Sequence, residues 1–139
     1  MSALIPGKNL LKDMESLIYK FTINGRLDGL NEYTKANRGN KYGANTLKKR
    51  NQKEVLQGVY RAKLKPIDKY PLKVKIAWYE PNLRRDIDNV TFATKFILDA
   101  LVQGGYIVDD SQKYINDISH KVLVDKSNPR IEVTLETDS

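Results

Sequence analysis

The segment Arg84-Arg85-Asp86-Ile87-Asp88-Asn89 sets two carboxylates two positions apart, and Asp110 follows Asp88 by 22 residues, next to Asp109. In an extended segment, residues two apart point to one side, so Asp86 and Asp88 can be aimed at a common point. Asp109-Asp110 can complete a group of three if the chain returns there, with either residue as the third ligand. Carboxylates crowded in this way repel one another, and a bound divalent cation relieves the repulsion. The chain has no cysteine and one histidine, His120. A thiolate site and a multi-histidine centre within one chain are thereby excluded, leaving oxygen ligands and a hard cation, Mg²⁺ with Mn²⁺ as a substitute. Such a cluster is equipment for phosphodiester hydrolysis, because the cation lowers the pKa of an attacking water and offsets charge on the phosphate and the leaving oxygen. Lys95 lies four residues before Asp99, one helical turn, so a Lys95–Asp99 pair can hold an ammonium beside the phosphate; a plain surface ion pair is the bland alternative.

Charge is unevenly spread. The net charge is +7. Between Lys35 and Lys65, ten basic residues face one acid, Glu54, whereas from Asp86 to Asp110 five acids face Lys95 alone. A basic protein with an acidic island suits a polyanionic partner handled at a metal site. Lys35, Arg38, Lys41, Lys48, Lys49, Arg50 and Lys53 are candidates for DNA contact, with Arg84 and Arg85 beside the carboxylates. Tyr33 and Tyr42 are candidates for stacking on unpaired bases. No glycine-rich phosphate loop is present, so no nucleotide cofactor is expected. No apolar run approaches the roughly 20 residues of a membrane span. Together with the lack of cysteine, this makes the cytoplasm the expected compartment and excludes a membrane partner.

The elements that must position these residues follow from periodicity. Residues 1–16, with Pro6 and Gly7, read as an N-terminal arm, and residues 17–139 as a single domain. Leu17, Tyr19, Phe21 and Ile23 alternate as a strand does. Asn31 is a candidate cap for a short helix through Ala36, followed by a mobile basic loop around Gly39, Asn40 and Gly43. Thr46 caps a helix to about Leu64, whose apolar face holds Leu47, Val55, Val59 and Ala62. Leu72, Val74, Ile76 and Trp78 form a second alternating strand that leads into the acidic island. Asn89 to Val102 carries helical spacing, stopped by Gly104-Gly105. His120 falls in an alternating run with Ile118, Val122 and Val124, where a core or edge position is expected. Ile131, Val133 and Leu135 form the last strand, and Asp125 to Pro129 reads as the hairpin loop between the two. The fold class expected is α+β, a mixed sheet with helices packed on one face.

Arg85-Asp86-Ile87-Asp88-Asn89, Lys95, Asp99-Ala100-Leu101, Gly105 and Asp109-Asp110, taken in order, resemble the RusA family of Holliday junction resolvases, and Gly29-Leu30-Asn31-Glu32-Tyr33 through Lys48-Lys49 resembles the amino-terminal part of the form found in phages of Gram-positive bacteria. The resemblance extends over roughly Leu17 to Glu136. Three more residues separate Asp88 from Lys95 here than in the usual family pattern, although the offset of Lys95 to Asp99 is kept. The resemblance implies that Asp86, Asp88 and Asp110 bind the metal, that Lys95 joins them in catalysis by supporting phosphate chemistry, and that Asn89 supports the site, with Asp99 and Asp109 at most in supporting roles. It also implies a homodimer that resolves four-way DNA junctions by paired symmetric cuts in recombination and repair. Two other functions are compatible with the residues: a non-catalytic basic DNA-binding module, and a metal nuclease acting on flaps or forks.

Overall fold

The computed structural model describes residues 17–137, so the expected arm over residues 1–16 lies outside the described residues. Strand β1 (Ile18–Asn24) opens the domain, with Phe21 and Ile23 buried on one face as the alternation requires. A turn through Gly25, in the left-handed region at φ 76°, leads to helices α1 (Leu30–Gly39) and α2 (Lys41–Arg61). Strand β2 (Leu72–Glu80), helices α3 (Ile87–Thr91) and α4 (Thr94–Gln103), and strands β3 (Ile115–Val124) and β4 (Arg130–Thr137) complete it.

The sheet has the order β1-β4-β2-β3. β4 pairs antiparallel with both β1 and β2, whereas β3 runs parallel to β2. A parallel pair requires a crossover, and α3 and α4 supply it. Buried residues of neighbouring strands lie in register: Phe21 opposite Val133, Ile23 opposite Ile131, Val74 opposite Leu135 and Ile76 opposite Val133. All of these point to the face that Val55 and Val59 of α2 and Phe96, Ile97 and Leu101 of α4 help to cover in a single core. At about 1.5–3 kcal/mol for each fully buried large apolar side chain, this layer is the main source of stability. The fold is thus a single α+β domain built on a mixed sheet, as the periodicity predicts.

Several local expectations need correction. Gly29 caps α1, not Asn31, and its backbone N–H donates to Glu32 Oε1 (3.2 Å) in the manner of a capping box. The expected mobile loop is a single extended residue, Asn40, whose Oδ1 accepts from Gly43 N–H (2.8 Å) and starts α2 five residues before Thr46. Gly43 is there for contact, because a Cβ would come within 2.9 Å of Ala36 O, across the α1–α2 corner. Ala62 caps the end of α2 and is exposed. The helix expected from Asn89 to Val102 begins earlier, at Ile87, and breaks at Phe92–Ala93. There the bonds Ala93 N–H to Val90 O and Phe96 N–H to Ala93 O tighten the chain, and the Thr94 hydroxyl donates to Thr91 O (2.6 Å). Finally, β3 and β4 do not form a hairpin. They flank β2 on opposite sides, so residues 125–129 step across its end, where Asp125 N–H donates to Glu80 O (2.8 Å).

Candidate functional site

β2 carries its alternation one step beyond Trp78, to Glu80. This places a carboxylate in a slot otherwise held by apolar side chains, only 4% exposed. A buried carboxylate requires a partner, and two arginines supply it. Arg85 forms a two-pronged pair, Nε to Oε1 and Nη2 to Oε2, both 2.9 Å, and Arg26 Nη2 adds a third bond to Oε1 at 2.9 Å. Arg85 Nη1 continues to Leu27 O (3.2 Å) and Glu32 Oε1 (3.3 Å). Burial pushes the Glu80 carboxyl up, but hydrogen bonds from Arg85 and Arg26 outweigh it and hold the group below the usual range. Residues 81–84 are therefore a short loop clamped at its base, since Arg85 at its end returns to Glu80 at its start.

Asp86 emerges from this clamp. Its backbone is extended and its carboxylate makes no cap hydrogen bond; Asp88 sits in the first turn of α3 with Oδ1 accepting its neighbour's Asn89 N–H (3.0 Å). Both aspartates are exposed, and among the described residues neither forms an ion pair. They are thus related as a helix cap and a first-turn residue, not by strand alternation. Asn89 faces inward: it is buried, and its Oδ1 accepts from Asn31 N–H (2.9 Å), which ties the aspartate segment to the first turn of α1. That junction needs glycine at position 29, where a Cβ would lie 2.5 Å from Asn89 O and 2.6 Å from its Oδ1.

Asp110 is elsewhere. Ile115, the first residue of β3, is opposite Leu72, the first residue of β2, whereas Asp86 follows the last residue of β2 and borders a cleft with Val122 and Val124 at the end of β3. At about 3.3 Å per residue, β2 separates the two ends by roughly 26 Å. The expectation that one chain gathers Asp86, Asp88 and Asp110 is corrected accordingly. Among the described residues, no group of three His, Cys, Asp or Glu side chains could hold a metal ion. Asp109 and Asp110 differ in their bonding. Hydrogen bonds from Asp110 N–H and the Ser111 hydroxyl hold the Asp109 carboxyl below its usual range, while Asp110 is exposed.

The cations also sort themselves. Lys95 is exposed on the first turn of α4, and the pair expected between it and Asp99 is replaced by Lys48 Nζ of α2 to Asp99 Oδ2 (3.3 Å). Arg50 Nη2 binds Asp28 Oδ2 at 2.7 Å. Of the basic residues assigned to DNA, Lys48 and Arg50 each pair with an acid of the chain at the surface, and Arg85 alone is half-buried and committed to the Glu80 clamp. Lys35, Arg38, Lys49, Lys53 and Arg84 are exposed and make no ion pair among the described residues; Lys41 begins α2, and its side chain is outside the described residues. Tyr33 is not a free stacking platform, because its ring packs on Phe92 and Phe96 at centroid distances of 5.2 and 6.2 Å; Tyr42 is exposed. His120 lies on the edge strand, where its Nδ1 accepts from Trp78 Nε1 (3.0 Å). Glu80, Arg26, Glu32 and Gly29 are the residues that motif spacing does not reveal. The signal for Glu80 was an acid on the apolar phase of a strand.

A pair of exposed, unpaired carboxylates on a rigid base is an oxygen-only donor set of the kind Mg²⁺ accepts, since that ion takes one or two carboxylates and keeps several waters. No helix among the described residues is long and apolar enough to cross a membrane. No curated protein matches the chain. The family described as Endodeoxyribonuclease RusA matches residues 31–136, a span that starts in the first turn of α1, ends one residue short of the end of β4 and contains both aspartate segments, and the chain belongs to that family of endodeoxyribonucleases.

Proposed function

We propose that the protein is a Mg²⁺-dependent, structure-specific endonuclease that resolves four-way DNA junctions as a homodimer, by paired and symmetric cuts. The observation that carries this reading is the Glu80–Arg85 clamp. It spends two arginines and a buried acid on fixing the base from which Asp86 and Asp88 rise unpaired. A solvated turn needs no such support, whereas a site that must hold its ligands in place does. A divalent cation bound there supplies charge neutralisation at the phosphate and a lowered pKa for the attacking water.

Asp86 and Asp88 are the ligands this chain offers at one end of the sheet. Asp110, the third member of the set, is at the other end, so it is supplied by a second copy, and each copy contributes to two sites. Lys95 keeps its ammonium free of carboxylates for the phosphate. Asn89 and Gly29 position the aspartate segment against α1. Lys35, Arg38, Lys41, Lys49, Lys53 and Arg84 track the phosphate backbone of the junction arms.

The test is cleavage of a labelled synthetic four-way junction beside linear duplex, flap and fork controls, with and without Mg²⁺. Wild type should give symmetric nicks in the junction that require the cation, and Asp88→Asn should lower the rate by at least about a hundredfold, as loss of a metal ligand does. Preferred cutting of flaps or forks would replace the junction assignment. Tight junction binding without cleavage in Mg²⁺ or Mn²⁺ would end the catalytic one.

A further inference from the structure

Helix α2 turns Val55 and Val59 to the core, and Gly58 brings its backbone so close to β1 that a Cβ there would meet Thr22 O at 2.4 Å. Its outer side is different. Leu56 and Tyr60, one turn apart, supply the apolar lining of a groove of about 520 Å³, bordered by Lys49, Lys53 and Arg61. Tyr60 is 81% exposed. None of the three cations has an ion-pair partner among the described residues, and Glu54, the one acid of the helix, does not line the groove. Just past the helix, Lys63 stands at φ 55°, the left-handed position that closes a helix and ordinarily falls to glycine. Its N–H donates to Tyr60 O (3.0 Å), and Leu64 N–H to Val59 O (3.3 Å). Lysine there is a strained choice that glycine would relieve, and it keeps a fourth ammonium three residues beyond Tyr60.

β1 and β2 run in the same direction, since both are antiparallel to β4. Asn51 bonds to Asp28, beyond the end of β1, whereas Arg61 Nη2 donates to Thr22 O within it (3.2 Å). α2 therefore leads away from the end of the sheet that carries Asp86, and Lys49 to Lys63 span roughly 20 Å at about 1.5 Å per residue. We propose that this face of α2 binds an unpaired DNA strand leaving the cleavage site, with one base against Tyr60 in the groove beside Leu56 and the flanking phosphates on Lys49, Lys53, Arg61 and Lys63. The cations call for an anionic ligand. A duplex answers them with its phosphates but keeps its base faces covered, so it has nothing to place in an apolar groove. An unpaired strand offers phosphates and bare base faces together and fits both. The inference rests on the reading above of Lys49 and Lys53 as phosphate contacts, and adds to it the class of strand and the base contact.

The test is binding, in EDTA so that nothing is cut, of fluorescent oligothymidylate and of an abasic oligonucleotide of the same length, which keeps the phosphates and lacks the bases. Wild type should bind oligothymidylate about tenfold more tightly, the scale of one base–aromatic stack. Tyr60→Ala, at an exposed position outside the core, should remove that preference, and Tyr60→Phe should keep it. Lys53→Gln should weaken both ligands alike and lower the salt slope by about 0.7, as loss of one phosphate contact to a single strand does. No preference in wild type, or a preference that survives Tyr60→Ala, overturns the proposal. So does an acidic peptide, tested as oligoglutamate ending in phenylalanine, that displaces oligothymidylate and binds more tightly through Tyr60. Junction cleavage is scored apart, in Mg²⁺. Wild type that nicks the fully paired junction but shows no preference for bases overturns the groove alone, and a preference without nicking keeps the groove and removes the junction reading alone.

Discussion

Glu80 and Asp88 are both acids of one short stretch, yet their surroundings assign them opposite duties. Glu80 is buried against Arg85 and Arg26, and removing one member of a buried ion pair leaves the other charged and unsatisfied, at a cost of about 3–5 kcal/mol. Glu80→Ala should therefore lower unfolding stability by roughly that amount, read from denaturant midpoints, and should also slow cleavage by the protein that remains folded, because the base of the Asp86–Asp88 segment is loosened. Asp88→Asn should move stability by no more than about 0.5 kcal/mol, as exposed substitutions do, while abolishing cleavage. Stability must also depend on pH through two groups. The Glu80 carboxyl is held below its ordinary value of 4.5 by the arginines despite its burial. Its contribution is present above that value and is lost as pH falls through the lower folded one. His120 is held somewhat below its ordinary value of 6.5 by partial desolvation against the sheet, a small effect since the residue is exposed on the edge strand, and its Nδ1 accepts from Trp78 only while unprotonated. The folded state consequently binds fewer protons than the unfolded chain, so stability should begin to fall as pH drops below 6.5. Thermal melts of wild type and His120→Asn between pH 7.5 and about 5 check this: the slope in that window should shrink in the variant, because the only titrating imidazole is gone.

Strands β1, β2 and β4 were legible in the sequence because each has one buried face, so the period of two appears directly in Phe21 and Ile23, in Leu72 through Trp78, and in Ile131 through Leu135. Helix starts were less so, because they depend on contacts between elements. Thr46 is a good cap by type, but Asn40 turns the chain at the α1–α2 corner, and Gly43 permits that corner by its closeness to Ala36. Asn40→Ala should cost about 1 kcal/mol in thermal or chemical unfolding, whereas Thr46→Ala, inside an established helix, should be near neutral. A larger loss at Thr46 than at Asn40 would contradict the observed boundary. The break at Phe92–Ala93 escaped the apolar pattern because Val90, Ala93, Ile97 and Leu101 remain buried on both sides of it. The supposed hairpin failed for a different reason: local turn residues at 125–129 say that the chain reverses, but not that β2 stands between the strands it joins.

At the scale of the whole molecule, the motif order named the right family, and Asp86, Asp88 and Asp110 do lie exposed, on two segments. What it could not give was their separation, because the parallel pairing of β2 with β3 places the chain before β3 at the end of the sheet opposite Asp86. If a second copy supplies Asp110, mixing two inactive variants must rescue one site. In a heterodimer of Asp88→Asn with Asp110→Asn, one site combines both substitutions and is dead, while the other takes Asp86 and Asp88 from the second variant and Asp110 from the first, all intact. Each variant alone should show no cleavage, and an exchanged mixture should nick the junction on one strand, at up to about a quarter of the wild-type nicking rate when heterodimers form statistically, since half of the dimers then carry one intact site of two. A site assembled within one chain gives no rescue at any mixing ratio, since each chain then carries its own lesion. Single-strand nicking by the mixture would therefore establish sharing between copies, and its absence, with exchange verified by mass, would return Asp110 to a structural role at the turn before β3.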